Sequence, residues 1–203
     1  MLSIVIQAGG ESRRMGQDKG LLPFLGQPLI QRVIARLAPL ADELIVTTNH
    51  KQAFQFLGLP LVSDTLPGRG ALGGLYTALR AANHALVAVV ACDMPFASPT
   101  LLAALRDLLS SGTADLAIPN SGGGQEPFHA VYRRQTCLPA IEAALMADRW
   151  RVDAWFAQVK VVAMQPPAIL RYDPQMICFR NVNTPEELSE TERLATALEY
   201  QSE

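Results

Sequence analysis

Two glycines followed closely by cationic side chains stand near the start of the chain. Gly9 and Gly10 come after a short apolar run over 2–7, and Arg14 and Lys19 follow soon after them. Glycine lets backbone N–H groups approach a ligand without interference from a Cβ atom, and cations neutralise phosphate charge. At the carboxyl end of a first strand this pattern indicates a nucleoside triphosphate site. The glycine pair alone is equally compatible with a tight strand-to-helix turn.

Two carboxylates follow predicted strands further along the chain. Asp93 comes directly after 86–91, an almost wholly apolar run whose length and β-branched residues predict a central strand. Asp64 ends a shorter predicted strand over 59–63 and precedes a second glycine-rich segment. A carboxylate at the mouth of a central strand is well suited to bind Mg²⁺ and, through it, phosphate oxygens. Asp93 is therefore the candidate metal ligand, and the plainer alternative for both carboxylates is a turn residue.

The elements that must position these residues alternate between strands and helices. Strands are predicted over eight short runs: 2–7, 43–48, 59–63, 86–91, 116–119, 128–132, 159–164 and 177–180. Helices are predicted to begin at Pro28, Ser98-Pro99 and Thr184-Pro185 and to cover 71–83, 136–147 and 150–157. This alternation predicts an α/β fold, with a mostly parallel, twisted, Rossmann-like sheet in a single-domain three-layer α/β/α arrangement. Such folds bind ligands at the carboxyl ends of their strands, where the first glycine loop lies.

Composition sets the broad class of the protein. The 203 residues are 49% apolar and 18% charged, which is typical of one compact domain. A net charge of −2 without a block of Lys and Arg argues against an extended nucleic-acid surface. The three cysteines have no disulfide or zinc-ligand spacing and suit a reducing compartment, and no apolar run is long enough to span a membrane. We therefore expect a cytoplasmic protein without nucleic-acid or membrane partners.

Neither GxGxxG nor GxxxxGK[ST] occurs in the first loop, so neither a dinucleotide fold nor a P-loop is supported. Instead, four blocks resemble the signature of the molybdenum cofactor guanylyltransferases. The blocks are Ala8-Gly9-Gly10 with Ser12, Arg14-Met15-Gly16 and Asp18-Lys19-Gly20-Leu21; Asp64 with Pro67-Gly68 and Gly70-Ala71-Leu72; Cys92-Asp93-Met94-Pro95; and the tail from Phe179 to Leu188. They run in order over nearly the whole chain, which makes the match far more specific than one glycine loop.

The resemblance implies a nucleotidyltransferase that transfers GMP from GTP to molybdenum-molybdopterin. The products would be the molybdopterin guanine dinucleotide cofactor and pyrophosphate. Within a single nucleotidyltransferase domain over 1–203, nucleotide binding is expected mainly in 1–100 and acceptor binding mainly in 101–190. Further partners implied are a molybdopterin carrier and the chaperones of target molybdoenzymes.

Residue roles carried over by position are expectations of the same resemblance. The first loop would contact GTP through Gln7, Ala8, Gly9 and Gly10. Asp64 would hold the guanosine side, Asp93 would bind GTP and Mg²⁺, and Asn181 and Asn183 would serve the pterin side. Attack by the acceptor phosphate needs no side-chain nucleophile, so Lys19, Arg14 and the metal on Asp93 would act by offsetting charge. Outside the matched blocks, Arg151 is a separate candidate to hold the pterin phosphate.

Two positions depart from the family pattern. Gln7 stands where this family usually has Leu, and a main-chain contact would tolerate that change. Thr47 stands where many members carry a nucleotide-contacting Asn, and Asn49 is the candidate substitute.

Two other interpretations compete with the guanylyltransferase. One keeps the chemistry and changes the substrate, as in a cytidylyltransferase for the same cofactor or a sugar-nucleotide pyrophosphorylase. Many such enzymes have Ala-Ala-Gly where this chain has Ala8-Gly9-Gly10, which favours the guanylyl interpretation. The other is a nucleotide-binding accessory protein without catalysis, against which the combination of Lys19, Asp64 and Asp93 argues.

Overall fold

The computed structural model describes residues 1–9 and 18–200. Its strands are β1 Leu2–Gln7, β2 Pro23–Phe24, β3 Gln27–Pro28, β4 Glu43–Thr47, β5 Leu61–Val62, β6 Leu86–Ala91, β7 Leu116–Pro119, β8 His129–Arg133 and β9 Val161–Met164. Its helices are α1 Leu29–Leu37, α2 Lys51–Phe54, α3 Gly70–Ala81, α4 Pro99–Ser111, α5 Arg134–Met146, α6 Pro166–Ile169 and α7 Pro185–Tyr200.

Seven strands within the described ranges form one sheet in the order β5-β4-β1-β6-β8-β7-β9. The pairs β4–β5, β1–β4, β1–β6 and β7–β9 are parallel, whereas β8 runs antiparallel to both of its neighbours. The chain builds outward from β1 to β4 and β5 and then returns to place β6 on the other side of β1. The carboxyl ends of β1 and β6 therefore meet at the point where the strand order reverses, which is where α/β sheets bind ligands.

Helices cover both faces of this sheet. Alternate residues of β1 show the division, since Ile4 and Ile6 join the core under α1 and α4, whereas Val5 joins the core under α3 and α5. Both β1 and β6 are almost fully buried, which explains why their sequences are continuous apolar runs. The predicted three-layer α/β/α architecture with a mostly parallel sheet is confirmed.

Local signals predicted the helix starts well. The Ser98 hydroxyl accepts the Leu101 N–H at 3.2 Å and caps α4, as the Ser-Pro pair predicts. Thr184 likewise accepts the Glu187 N–H at 3.1 Å at the start of α7. Pro28 lies one residue before α1 because 23–28 forms a two-stranded hairpin that the sequence did not indicate.

Two predicted elements are wrong. The segment 150–157 consists of turns followed by the short 3₁₀ turn Phe156–Gln158, because Trp155 packs into the core beside Tyr132 and the chain wraps around it. The segment 177–180 contains the 3₁₀ turn Ile177–Phe179 rather than a strand, with the Cys178 N–H bonded to the Asp173 carboxylate. No helix of the described chain has both the length and the apolar character that a membrane span requires.

Candidate functional site

A cluster of three polar side chains lies at the carboxyl edge of the sheet, beside the end of β6. The Lys19 ammonium donates to Asp93 Oδ2 at 2.8 Å and to Asn183 Oδ1 at 2.6 Å. The Lys19 and Asp93 side chains are only 25% and 14% exposed, so this ion pair is partly shielded from water. Residues from the first loop, the central strand and the tail therefore meet at one point, although up to 164 positions of sequence separate them.

Gly20 holds Lys19 against the core. Lys19–Leu21 forms one 3₁₀ turn in which Gly20 is buried. A Cβ atom on Gly20 would lie 3.2 Å from Phe54 Cε1 and 3.4 Å from Cys92 Sγ, so a larger residue would displace the turn or its neighbours. By contrast, a Cβ atom on the exposed Gly9 would meet nothing within 4 Å. Gly20 thus has a packing role, and Gly9 borders open space.

The tail reaches the site because its backbone is bonded to Asp93. The Val182 N–H donates to the Asp93 carbonyl at 3.0 Å, and Val182 itself is fully buried. On the next residue, the Asn183 N–H donates to the Glu187 carboxylate at 2.6 Å, which couples Asn183 to the first turn of α7. These two contacts aim the Asn183 amide at Lys19. The exposed Asn181 makes no hydrogen bond with another described residue, so only one of the two predicted asparagines joins the cluster.

A second polar pair follows the neighbouring strands β4 and β5. The Asn49 amide donates to Asp64 Oδ2 at 3.1 Å and accepts the Asp64 N–H at 2.9 Å. Thr47, the last residue of β4, is 2% exposed and lies in the sheet. Of the two candidates after β4, the exposed Asn49 is therefore the one whose amide stands at the edge beside Asp64.

One contact of this edge was not anticipated from the sequence. His50 Nδ1 lies 2.8 Å from Asp18 Oδ2, which connects the residue before Lys19 to the loop after β4. The sequence does hint at this contact, because Asp18 belongs to the same block as Lys19 and His50 follows a strand end. Surface histidines are too common for that signal to be decisive.

Main-chain groups at the end of β1 are used within the sheet. The Cys92 N–H donates to the Gln7 carbonyl at 3.0 Å, and the Ala8 N–H donates to the Thr47 carbonyl at 2.8 Å. Of the residues predicted to contact GTP in the first loop, Gln7 and Ala8 therefore use these main-chain groups to bind neighbouring strands. Gly9 is the first residue of the loop that borders open space. Gly10 and Arg14 lie outside the described residues.

A shallow cavity of about 270 Å³ lies on the β8 side of the same edge. Its lining comprises Gln125, Pro127, Arg151, Val152, Asp153 and Phe156. It borders the end of β6, because the Ala91 N–H donates to the carbonyl of Phe128, the residue after Pro127. The Arg151 guanidinium is held 2.9 Å from Asp153 and is 85% exposed, so Arg151 lies in this cavity rather than in the Lys19 cluster.

His129, at the start of β8, is a structural residue of the core. Its Nε2 accepts the Ser98 N–H at 2.9 Å, which leaves the ring proton on Nδ1, and the imidazole makes a T-shaped contact with the Phe179 ring. Burial lowers the pKa of His129 to about 4; a backbone hydrogen bond and the Asp173 carboxylate partly oppose this shift, and the Arg36 charge adds a smaller lowering effect. The imidazole is therefore neutral, and it supports the start of α4.

The carboxylates fit a cation that is shared with a ligand. Among the described residues there is no group of three His, Cys, Asp or Glu side chains able to hold a metal by themselves. Mg²⁺ requires less, because it usually takes one or two protein carboxylates together with substrate phosphates. Asp93, partly buried at the mouth of β6 and adjacent to an ammonium group, provides one such carboxylate.

An α/β sheet that gathers a lysine, a carboxylate and an asparagine at its switch point suits the binding of nucleotide phosphates. The model of the MobA-like NTP transferase domain matches residues 4–161. The chain belongs to the MobA-like NTP transferase family.

Curated relatives and solved structures agree with this assignment. A probable molybdenum cofactor guanylyltransferase of Natranaerobius thermophilus is 33% identical over 196 residues, covering 95% of each chain. One of Pelotomaculum thermopropionicum is 37% identical over 184 residues, covering 91% of this chain and 88% of the relative. The crystal structure of molybdopterin-guanine dinucleotide biosynthesis protein A from Archaeoglobus fulgidus superposes with a TM-score of 0.83 at 25% identity, covering 96% and 99% of the two chains.

Proposed function

We propose that this protein transfers GMP from GTP to molybdenum-molybdopterin and releases pyrophosphate. The observation that carries the proposal is the Lys19–Asp93–Asn183 cluster at the carboxyl edge of the sheet. It combines a cation for phosphate, a carboxylate for a divalent metal and an amide from the tail. The resemblance of the whole chain to guanylyltransferases supports guanine as the base and molybdopterin as the acceptor.

Charge placement accounts for the proposed chemistry. The acceptor phosphate attacks the α-phosphorus of GTP in line, and pyrophosphate leaves with the electrons of the broken bond. Lys19 stands where it can neutralise the phosphates, and Asp93 would hold Mg²⁺ at the same place. When bound, Mg²⁺ would stabilise negative charge on the α-phosphate and the leaving group. Arg14 is proposed as a further phosphate ligand on the strength of the sequence block alone.

The nucleotide and the acceptor would occupy different parts of the edge. Asp64 and Asn49 follow β5 and β4, so we assign them to the guanosine side, and Gly9 at the end of β1 borders open space. On the opposite side of β6, the cavity lined by Arg151 and Phe156 offers a cation for the phosphate of the pterin and an aromatic surface for its ring. This arrangement supports a nucleotide half over 1–100 and an acceptor half over 101–190, with Asn183 at their junction.

A cytidylyltransferase acting on the same acceptor is the second candidate, because the cluster binds phosphates and does not by itself select a base. The test is to incubate the purified protein with Mg²⁺, molybdenum-molybdopterin and either GTP or CTP, and to identify the product by mass. We expect the guanine dinucleotide from GTP and none from CTP. Product from CTP alone would show that the nucleotide substrate is CTP and not GTP. Nucleotide binding without any product would support the non-catalytic accessory protein.

The remaining expectations rest on the sequence and the proposed reaction. A molybdopterin carrier and chaperones of target molybdoenzymes are the implied partners, since the acceptor must arrive and the product must leave. The cytoplasmic location is expected from the three cysteines, which are buried and unpaired.

A further inference from the structure

Gln7 carries a buried polar group that has no hydrogen-bond partner among the residues that the structure describes. Among the described residues, only two buried side-chain nitrogen or oxygen atoms lack a hydrogen bond, Gln7 Nε2 and His129 Nδ1. His129 lies wholly inside the core, whereas Gln7 lies at the carboxyl end of β1. An unpaired buried donor is costly enough that native proteins rarely keep one without a reason.

The position of Gln7 points to a ligand. It is the last residue of β1, between β4 and β6, and it shares the face of the sheet that α3 covers. A Cβ atom on Gly74 of α3 would lie 3.2 Å from Gln7 Nε2, so the carboxamide stands against the part of the helix that has no side chain. The residue as a whole is only partly buried, which leaves the carboxamide at the rim of the crevice.

The main chain of Gln7 offers little to a ligand, because its carbonyl accepts the Cys92 N–H. The side chain is therefore the available group. Its terminal torsion has broad, shallow minima, so the amide can rotate about that bond at little cost and Nε2 can leave its place against Gly74. A neutral amide in partly apolar surroundings suits a neutral ring carbonyl, whereas a phosphate placed there would lose its hydration without gaining a cation.

We infer that the Gln7 carboxamide binds the nucleobase, with Nε2 donating a hydrogen bond to a ring carbonyl. In GTP this carbonyl is O6 of guanine. Gln7 is thus a base-binding residue that distinguishes this chain from relatives with Leu at this position. The inference rests on the proposed function for the identity of the nucleotide, but not for the contact itself, since cytosine also presents a ring carbonyl.

The test compares Gln7→Leu and Gln7→Glu with the wild type in nucleotide binding and in steady-state kinetics. Gln7→Leu removes the donor, and we expect KM and Kd for the nucleotide to rise about three- to tenfold, the value of one neutral hydrogen bond. We expect kcat and the urea midpoint to stay at or above the wild-type values. Gln7→Glu replaces the donor by an acceptor, so it should weaken binding at least as much.

Two controls separate a base contact from other effects. Gln135→Leu makes the same change at an exposed position in the first turn of α5, at the opposite edge of the sheet, and should leave every parameter unchanged. Ribose 5-triphosphate, which lacks a base, should inhibit the wild type and Gln7→Leu equally. A larger effect of Gln7→Leu on this inhibitor would overturn the base contact.

Each remaining outcome also decides the question. A KM within twofold of wild type for Gln7→Leu, or tighter binding by Gln7→Glu, would overturn the inference. The measurements use whichever of GTP and CTP the wild type converts, so a preference for CTP refutes the proposed function and leaves the Gln7 contact measurable. If the wild type converts neither, Kd values for both nucleotides are compared, and absence of any nucleotide binding refutes both claims.

Discussion

Replacing the Asp93 carboxylate by an amide is the sharpest perturbation of the site. Asp93→Asn keeps the size and shape of the side chain, and the backbone bond from Val182 to the Asp93 carbonyl is untouched. The amide oxygen can still accept from Lys19, whose second bond to Asn183 also remains. The change is therefore confined to one negative charge at the mouth of β6.

The structure predicts a small effect on stability and a large one on turnover. Because the Lys19–Asp93 pair is partly buried and Lys19 retains a partner, we expect the free energy of unfolding to fall by about 1–2 kcal/mol. The same charge would position Lys19 and hold Mg²⁺ when the α-phosphate is attacked. Its loss should lower kcat by about 10²–10³, or roughly 3–4 kcal/mol of transition-state stabilisation.

The assay measures pyrophosphate release and dinucleotide formation with saturating GTP over a range of Mg²⁺ concentrations, with urea unfolding in parallel. Asp107→Asn is the matched control, because Asp107 is an exposed carboxylate paired with Arg106 at 2.8 Å on α4. We expect the control to keep full turnover. A kcat for Asp93→Asn within threefold of wild type, with the same Mg²⁺ dependence, would refute the assignment of Asp93.

Three further predictions concern two glycines, the buried histidine and the buried cysteines. Gly20→Ala crowds a closed core and should lower the free energy of unfolding in urea by about 1–2 kcal/mol. Gly9→Ala should keep the wild-type stability and weaken GTP binding. Equal stabilities of the two variants would contradict this contrast. His129 stays neutral when folded, so as pH falls from 6.5 to 4 the unfolded state alone takes up its proton and stability should drop by about 1.4 kcal/mol per unit, about 3 kcal/mol in all. The His129→Gln variant should lack this component of the slope, and an unchanged slope would refute it. Burial raises the pKa of all three cysteine thiols, that of Cys137 to about 12. Ellman's reagent at pH 8 should therefore react with them only after denaturation. Rapid reaction of the native protein would show that a thiol is accessible.

Elements with strong local signals were predictable from the sequence. The buried strands over 2–7 and 86–91, the Ser98 cap and the Thr184 cap depend on apolar runs and on side chains close in sequence, and all four are confirmed. The prediction of a helix for the segment 150–157 is wrong. Burial of Trp155 against Tyr132 decided its turns instead, and that contact joins distant parts of the chain.

In the candidate site, too, the sequence predicts some features and the tertiary structure decides others. Sequence blocks predict Lys19, Asp64, Asp93 and Asn183 as candidate site residues, and the alternation of strands and helices predicts that strand ends gather at one edge. The pairing of Lys19 with both Asp93 and Asn183 was not predictable, because it depends on the Val182 backbone bond that holds the tail. The commitment of the Gln7 carbonyl to Cys92, which leaves its side chain as the available group, depends equally on neighbouring strands.

The sequence by itself thus determined the α/β class, the family and the residue types that can bind a nucleotide. These properties follow from local periodicity and from blocks that are short and ordered along the chain. Only the tertiary structure decided which of those residues touch. Lys19, Asp93 and Asn183 are brought together by a sheet order that reverses beside β1 and by a tail that returns to β6. Such contacts depend on long-range backbone pairing and on the space that buried side chains leave, and no local pattern encodes either.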